Sequence, residues 1–263
     1  MALVKKYLQV FKLAFEESVF YRSNTFVYFL RHTLWFFAEI LIWLAVFQEK
    51  NQIGDYDLEG MIVYFLLVYL VSIFTSSSID DWLSDNIVSG GLTRLFLIPI
   101  SVHWAVFFQD LGKKVSRFLW VFIIWVVGFV FFGISIGAPN PILFLLALIN
   151  SVFLVFLFRF FLGVLSFWFI SIRSLLWVVA QVESFLGGGW LPLSLLPLGI
   201  SRVAGFSPFG LSLSFPTRLF QGKIDSGEMI ISFALQYLWI FIFYLLISVL
   251  WKKGIRKYEA VGN

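Results

Sequence analysis

Six long apolar stretches, each bounded by charged or turn-forming residues, constrain this chain more than any other feature. A helix needs roughly 20 apolar residues to cross a hydrocarbon core about 30 Å thick. Stretches of that kind run approximately over 26–47, 61–76, 118–136, 142–171, 175–191 and 229–251. The fourth, at 30 residues, extends to about 45 Å at helical rise and must tilt or protrude. The fifth runs into Gly187, Gly188 and Gly189, with Pro192 and Pro197 following, so it is expected to stop being a plain helix before it exits. The fold class expected is an all-α integral membrane protein of six transmembrane helices.

Composition agrees with that reading. Of 263 residues, 60% are hydrophobic and 13% charged, whereas soluble domains run near 45–50% and 25%. Soluble enzymes, disordered tails and nucleic-acid binders are thereby excluded, and no nucleic-acid partner is expected. There is no cysteine, so disulfides, thiolate metal sites and cysteine nucleophiles are impossible. Two histidines, His32 and His103, are too few for a three-histidine metal site. They are expected to sit at the interface, and no bound metal is expected.

Orientation follows from the basic residues, because cytoplasmic loops are enriched in lysine and arginine. One side of the alternation carries thirteen: Lys5, Lys6, Lys12 and Arg22, then Arg94, Lys113, Lys114 and Arg117, then Arg173, then Lys252, Lys253, Arg256 and Lys257. The other side carries four, Lys50, Arg202, Arg218 and Lys223. Both termini are therefore expected in the cytoplasm of a multi-pass cell-membrane protein. No cleavable signal peptide is apparent, since the first 25 residues are rich in charge. Within them Leu3, Tyr7, Val10, Phe11, Ala14 and Phe15 recur at helical spacing, which predicts an amphipathic helix on the cytoplasmic surface over 1–25. No inverted repeat is visible, and residues 1–263 read as one membrane domain ending in a cytoplasmic tail over 252–263.

Two connections are too rich for simple turns. In the cytoplasmic segment 79–101, Asp80 and Asp81 suit the first turn of a short helix and Gly90 and Gly91 suit its stop. A second short element over 92–98 ends at Pro99. Such an elbow fits either a docking surface for a soluble partner or an ordinary surface loop. The external segment 187–222 is far too apolar for a solvated loop. Pro192, Pro197, Pro208 and Pro216 divide it into short pieces, and backbone of that kind at membrane depth is buried in protein or lines a cavity. A gate and a structural cap both fit.

With these segments in order, the chain resembles the membrane subunits of type-2 ABC transporters, in particular bacterial exporter permeases. The resemblance is carried by the basic N-terminal helix and YRSN at 21–24, by IVSGGLTRLFLIP at 87–99, by GGGWLPLSLLP at 187–197, and by Ser207, Pro208, Phe209 and Pro216. The family often has an acidic residue after the coupling glycine, where this chain has Gly91, Leu92 and Thr93. The resemblance implies that Val88, Ser89, Gly90, Gly91, Arg94, Leu95 and Pro99 couple the chain to separate ATPase subunits, which bind ATP and Mg. It implies a second permease copy or paralogue and an external hairpin over Gly187, Gly188, Gly189, Trp190, Pro192, Pro197, Pro208, Phe209 and Pro216. No cofactor is expected on the chain itself, which lacks a Gly-x-x-x-x-Gly-Lys-Ser/Thr phosphate loop.

Ionisable groups within spans cost about 2.5–3.5 kcal/mol each on insertion scales, so they pair or face water. Arg31 lies near a span end and reaches the headgroups. Arg159 and Glu183 sit twelve and ten residues from their cytoplasmic ends, about 18 and 15 Å deep, and are placed to form an ion pair. Glu39, Asn150, Arg159, Gln181 and Glu183 fit a polar path or helix-locking contacts, and the second is favoured. Asp110, Lys113, Lys114 and Arg117 have the spacing of a solvated helical face. The expected function is the permease subunit of an ATP-driven exporter of hydrophobic or amphiphilic cargo, with lipid around it. The alternatives are an ion-gradient-driven secondary transporter using Glu39 and Glu183, and a membrane enzyme. The enzyme reading is weak, because Asp80, Asp81 and Asp85 lack histidine partners and do not share one face.

Overall fold

A computed structural model describes residues 2–20, 22–132, 140–169 and 172–261. These residues form twelve α-helices and two short 3₁₀ turns, and no strand occurs among them. The helices are α1 (Ala2–Phe20), α2 (Arg22–Val46), α3 (Leu58–Thr75), α4 (Ile79–Val88), α5 (Leu92–Phe96), α6 (Val102–Phe132), α7 (Pro141–Val164), α8 (Arg173–Leu186), α9 (Leu198–Phe206), α10 (Pro208–Ser212), α11 (Ser214–Phe220) and α12 (Ser226–Val261).

Helix starts are encoded locally. Asp57 accepts a hydrogen bond from the Gly60 amide at the head of α3, and Asn140 accepts from Leu143 ahead of Pro141 in α7. Asp225 accepts from Gly227 and Glu228 at the start of α12. In each case a side-chain oxygen satisfies an amide that the helix cannot, and Pro141 loses nothing at the first helical position.

Among the described residues, four segments are long and apolar enough to cross a membrane: Phe29–Val46, Leu58–Val88, Pro141–Phe167 and Ser226–Tyr258. Two of the expected spans differ from the sequence reading. The 30-residue stretch over 142–171 is not one helix: α7 ends at Val164 and a 3₁₀ turn, Leu165–Phe167, follows. Helix α8 has only 14 residues, about 21 Å, because the chain turns at Gly187–Gly189. The stretch over 118–136 begins inside α6, and its residues 133–139 lie outside the described residues. Helix α12 runs on through the expected tail to Val261.

Helix α7 is the central post, packed by α12, α4, α10, α11 and α3. Its neighbour α4 presents Ile79, Leu83 and Ile87, one stripe at i, i+4 and i+8, to a core shared with Phe160, Val164 and Trp251. The two elements are close because Gly163 has no side chain: a Cβ there would stand 2.9 Å from Leu83 Cβ and 3.2 Å from Asp80 Cα. Burying Leu83 and Leu92 completely contributes about 1.5–3 kcal/mol each relative to exposure to water.

Helix α1 ends at Phe20, short of the expected 1–25, and turns part of its apolar face to α6. Tyr7 and Ala14 are buried, the Tyr7 ring stacks on Phe108 at 5.6 Å, and its hydroxyl accepts from the Ser101 amide at 3.0 Å. Val4, Leu8 and Leu13 remain exposed. The α6 segment carrying Asp110 and Lys114 is not a solvated face. Lys114 is fully buried and forms a 2.6 Å ion pair with buried Asp110, and Asp110 also accepts from Ser77 at 3.1 Å. The i, i+4 spacing is shared by solvated and buried pairs; here the pair faces Ser77 and the bundle interior, on the side of α6 away from α1.

Candidate coupling site

The elbow 79–101 is built from α4 and α5 joined by a glycine turn. Gly90 adopts φ +78°, the left-handed conformation that closes a helix end and that side chains resist. Val88, Ser89, Gly90, Arg94 and Pro99 are exposed, while Gly91 and Leu95 are half-buried. Together with exposed Phe96, Leu97 and Ile98, they form an apolar tip with one cation, Arg94. The last three were not singled out as site residues. An apolar run ending in proline on a basic loop was their signal in the sequence.

Above the tip, the elbow is tied to the bundle by charge. Arg159 on α7 donates from Nη1 to Asp80 Oδ2 on α4 at 2.7 Å and from Nη2 to Glu183 on α8. The expected Arg159–Glu183 pair forms, and Asp80 joins it. Asp80 is 1% exposed and Arg159 and Glu183 are largely buried, so the triad sits where charges are poorly solvated and each depends on the others. Because α7 ends at Val164, Arg159 stands five residues from its helix end, about 8 Å, and not the 18 Å expected. That shallower position is what allows an elbow residue to reach it. The sequence did contain a signal for Asp80: at i, i+3 and i+7 it shares a face with Leu83 and Ile87, which turn into the core.

Asp80 and Arg159 border a cavity of about 490 Å³ whose lining includes Asp81, Arg173, Leu176 and Trp177. Within the triad, Asp80 Oδ1 and Arg159 Nε have no hydrogen-bond partner among the described residues, so both keep capacity to re-pair. Arg173 meets Asp85 at 3.0 Å at the exposed rim, a second link between α8 and α4. The elbow also touches the last helix, where Thr93 and Tyr258 hydroxyls lie 3.2 Å apart and the Phe96 ring meets Tyr258 edge-on.

The remaining embedded polar residues do not converge on this site. Asn150 Nδ2 donates to Gln236 Oε1 at 3.3 Å, and Gln236 Nε2 donates to the Leu211 carbonyl at 2.9 Å and to Ser151 Oγ at 3.1 Å. This buried network joins α7, α12 and α10. Gln236 had no distinguishing feature in an apolar stretch. Glu39 accepts from Trp35 Nε1 at 2.9 Å on its own helix. Gln181 is half-buried two residues before Glu183, and residues two apart on a helix face different directions.

At the opposite end, segment 187–222 consists of short pieces, as its prolines predict. Pro192 precedes the turn Leu193–Leu195, Pro197 caps α9, Pro208 opens α10 and buried Pro216 lies in the first turn of α11. Phe209 packs edge-on against Phe158, well along α7, while Trp190 is exposed and meets Phe185. Gly187 ends α8, and the Gly189 amide donates back to Ser184 at 2.8 Å. Gly188, at φ +83°, accepts at its carbonyl from buried Tyr64 at 2.7 Å. A loop that the sequence reading passed over completes the latch. The Lys223 ammonium stands 3.4 Å over the Tyr56 ring and donates to the Asp55 carbonyl at 2.8 Å; burial holds it below the ordinary lysine value. Gly188→Ala is expected to destabilise the chain by about 2 kcal/mol, combining left-handed strain with a Cβ 2.6 Å from the Tyr64 hydroxyl. Thermal unfolding checks it, and adding Tyr64→Phe should recover part of the loss by removing the clashing oxygen.

Comparison with curated proteins returned no match. The profile of the ABC-2 family transporter protein matches residues 33–262, which takes in the elbow, the charged triad and the proline-divided segment. This chain belongs to the ABC-2 transporter family and is a multi-pass permease component of an ABC transporter.

Proposed function

We propose that the chain is the permease of an ATP-driven exporter and that the Asp80–Arg159–Glu183 triad transmits the motor's movement to the transport path. The observation that carries this reading is the buried 2.7 Å pair between Asp80 on the elbow and Arg159 on the central helix, placed directly above an exposed apolar tip. Two ATPase subunits, holding ATP and Mg in their own sites, dock on Val88–Pro99 of two facing permeases. Their closure pushes α4, and the ionic link carries that push to α7 and α8 as a rigid-body shift. Asp80 and Arg159, each with an unused hydrogen-bonding position, re-pair across the polar cavity as the helices move.

In this reading the chain crosses the cell membrane six times with both termini cytoplasmic. Helix α6 and the short α8, extended by the apolar segment that follows it, supply the two crossings beyond the four long apolar segments. Segment 187–222 folds back into the outer leaflet as a gate over the path. The cargo is hydrophobic or amphiphilic, in keeping with apolar walls and few unpaired charges. Glu183 is held by an arginine, which fits a structural link better than an ion-gradient carrier.

The test begins with purification of the tagged chain from its host in mild detergent and identification of the proteins that accompany it. A stoichiometric protein with a phosphate loop is expected. In reconstituted vesicles, Arg94→Ala and Pro99→Ala should then lower transport per ATP hydrolysed several-fold while insertion is unchanged. Undiminished coupling in both variants, or gradient-driven flux without any ATPase, would sink the reading.

A further inference from the structure

Away from the triad, α6, α7 and α12 enclose a cleft of about 670 Å³. Phe153, Phe156 and Phe160 on α7 form its floor, and Tyr237, Phe241 and Tyr244 on α12 form one wall. That wall is exposed along its length, so the cleft opens sideways where lipid would be. The α12 lining runs from Tyr237 to Lys252, fifteen residues or about 22 Å of helix. Half of a bilayer, headgroups included, is about 20–22 Å thick, so the cleft has the height of one leaflet.

Its ends differ in chemistry. At the elbow end, Lys252, Ser101, Ser248 and His103 line the mouth, Lys253, Arg256 and Lys257 follow on the same helix, and no carboxylate occurs among the lining residues. The other end is aromatic and aliphatic. An apolar slot one leaflet deep, bordered at the headgroup level by a lysine and neutral polar groups with no carboxylate, complements an amphiphile with a negative head. A second copy of the chain fits less well, because a two-fold contact would set cleft against cleft.

We infer that this cleft binds an anionic phospholipid of the leaflet on the elbow's side, with one acyl chain along Phe153, Leu157 and Tyr244 and the phosphate against Lys252. A lipid seated there wedges α12 against the start of α6, beside the contact of the elbow with Tyr258. Site occupancy therefore sets how firmly the last helix backs the elbow.

Native mass spectrometry of the full-length purified chain, offered an equal mixture of dioleoyl phosphatidylglycerol and dioleoyl phosphatidylcholine, tests this. Phosphatidylglycerol should be retained about five-fold over phosphatidylcholine, the weight of one lysine at a charged headgroup. Lys252→Glu should abolish the preference, while Lys50→Glu, the same charge change at a distant exposed position, should leave it intact. Ser248→Trp, which fills the slot, should remove the tightly held adducts of both lipids. Preference surviving in Lys252→Glu, adducts surviving in Ser248→Trp, or a wild-type dimer carrying no lipid would each overturn the assignment. Lys252 is exposed, so its variant decides the matter even if Ser248→Trp does not fold.

Discussion

Arg159→Met is expected to cost about 3–5 kcal/mol, because it leaves Asp80 and Glu183 buried without the arginine that pairs them both. In thermal unfolding followed by tryptophan fluorescence, that corresponds to a fall in Tm on the order of 10 °C. The size of the effect comes from desolvation. The three groups are largely removed from water, so each carboxylate must either stay charged in an unfavourable medium or take up a proton. The triple variant Asp80→Asn, Arg159→Met, Glu183→Gln carries no charge at the site and should regain most of the lost stability, since replacing a whole buried ionic set is often near neutral. Stability and coupling then separate: the triple variant should fold, bind its ATPase and hydrolyse ATP, yet transport several-fold less per ATP. A wild-type Tm in Arg159→Met would show the triad to be solvated, and full coupling in the triple variant would show that it is not the transmission.

Gln236→Leu has the second-largest expected effect, a loss of about 2–4 kcal/mol. Leucine nearly matches glutamine in volume, so the change is chemical rather than steric. It strands the Asn150 amide and leaves the Leu211 carbonyl with only the 3.5 Å contact from Ser151 Oγ, at about 1–3 kcal/mol for a buried unsatisfied group. Adding Asn150→Leu removes one stranded group and should recover a substantial part of the loss. Because Leu211 belongs to α10, the single variant should also free segment 187–222, seen as faster proteolysis between α9 and α11. A Tm within 1 °C of wild type would mean that water reaches the network and satisfies it.

Much of this architecture was legible in the sequence because it follows from local rules. The stop at Gly187–Gly189, the division of 187–222 at its prolines, the Gly90 turn and the two short elbow helices depend on φ angles and missing amides that only a few residue types supply. The Arg159–Glu183 pair was legible for a different reason: two charges of opposite sign in apolar stretches need partners, and few are available. Asp80 escaped because it was read with Asp81 and Asp85 as an acidic cluster, although the stripe of Ile79, Leu83 and Ile87 turned it alone inward. Lys114 and Asp110 escaped because their spacing is the same whether they face the bundle interior, as here beside Ser77, or water.

By itself the sequence determined that the chain is helical, where the backbone must break, and which charges need partners, since bilayer thickness, proline, glycine and desolvation act on each residue without reference to the rest of the fold. Tertiary structure alone decided that α7 stops at Val164 and so brings Arg159 within reach of the elbow, that Gly163 lets α4 approach, that Gln236 joins three helices, and that a leaflet-deep cleft opens beside Lys252. These depend on how far apart two helices stand and which faces they turn to each other. That spacing is set by the summed shapes of many side chains, and no single residue carries it.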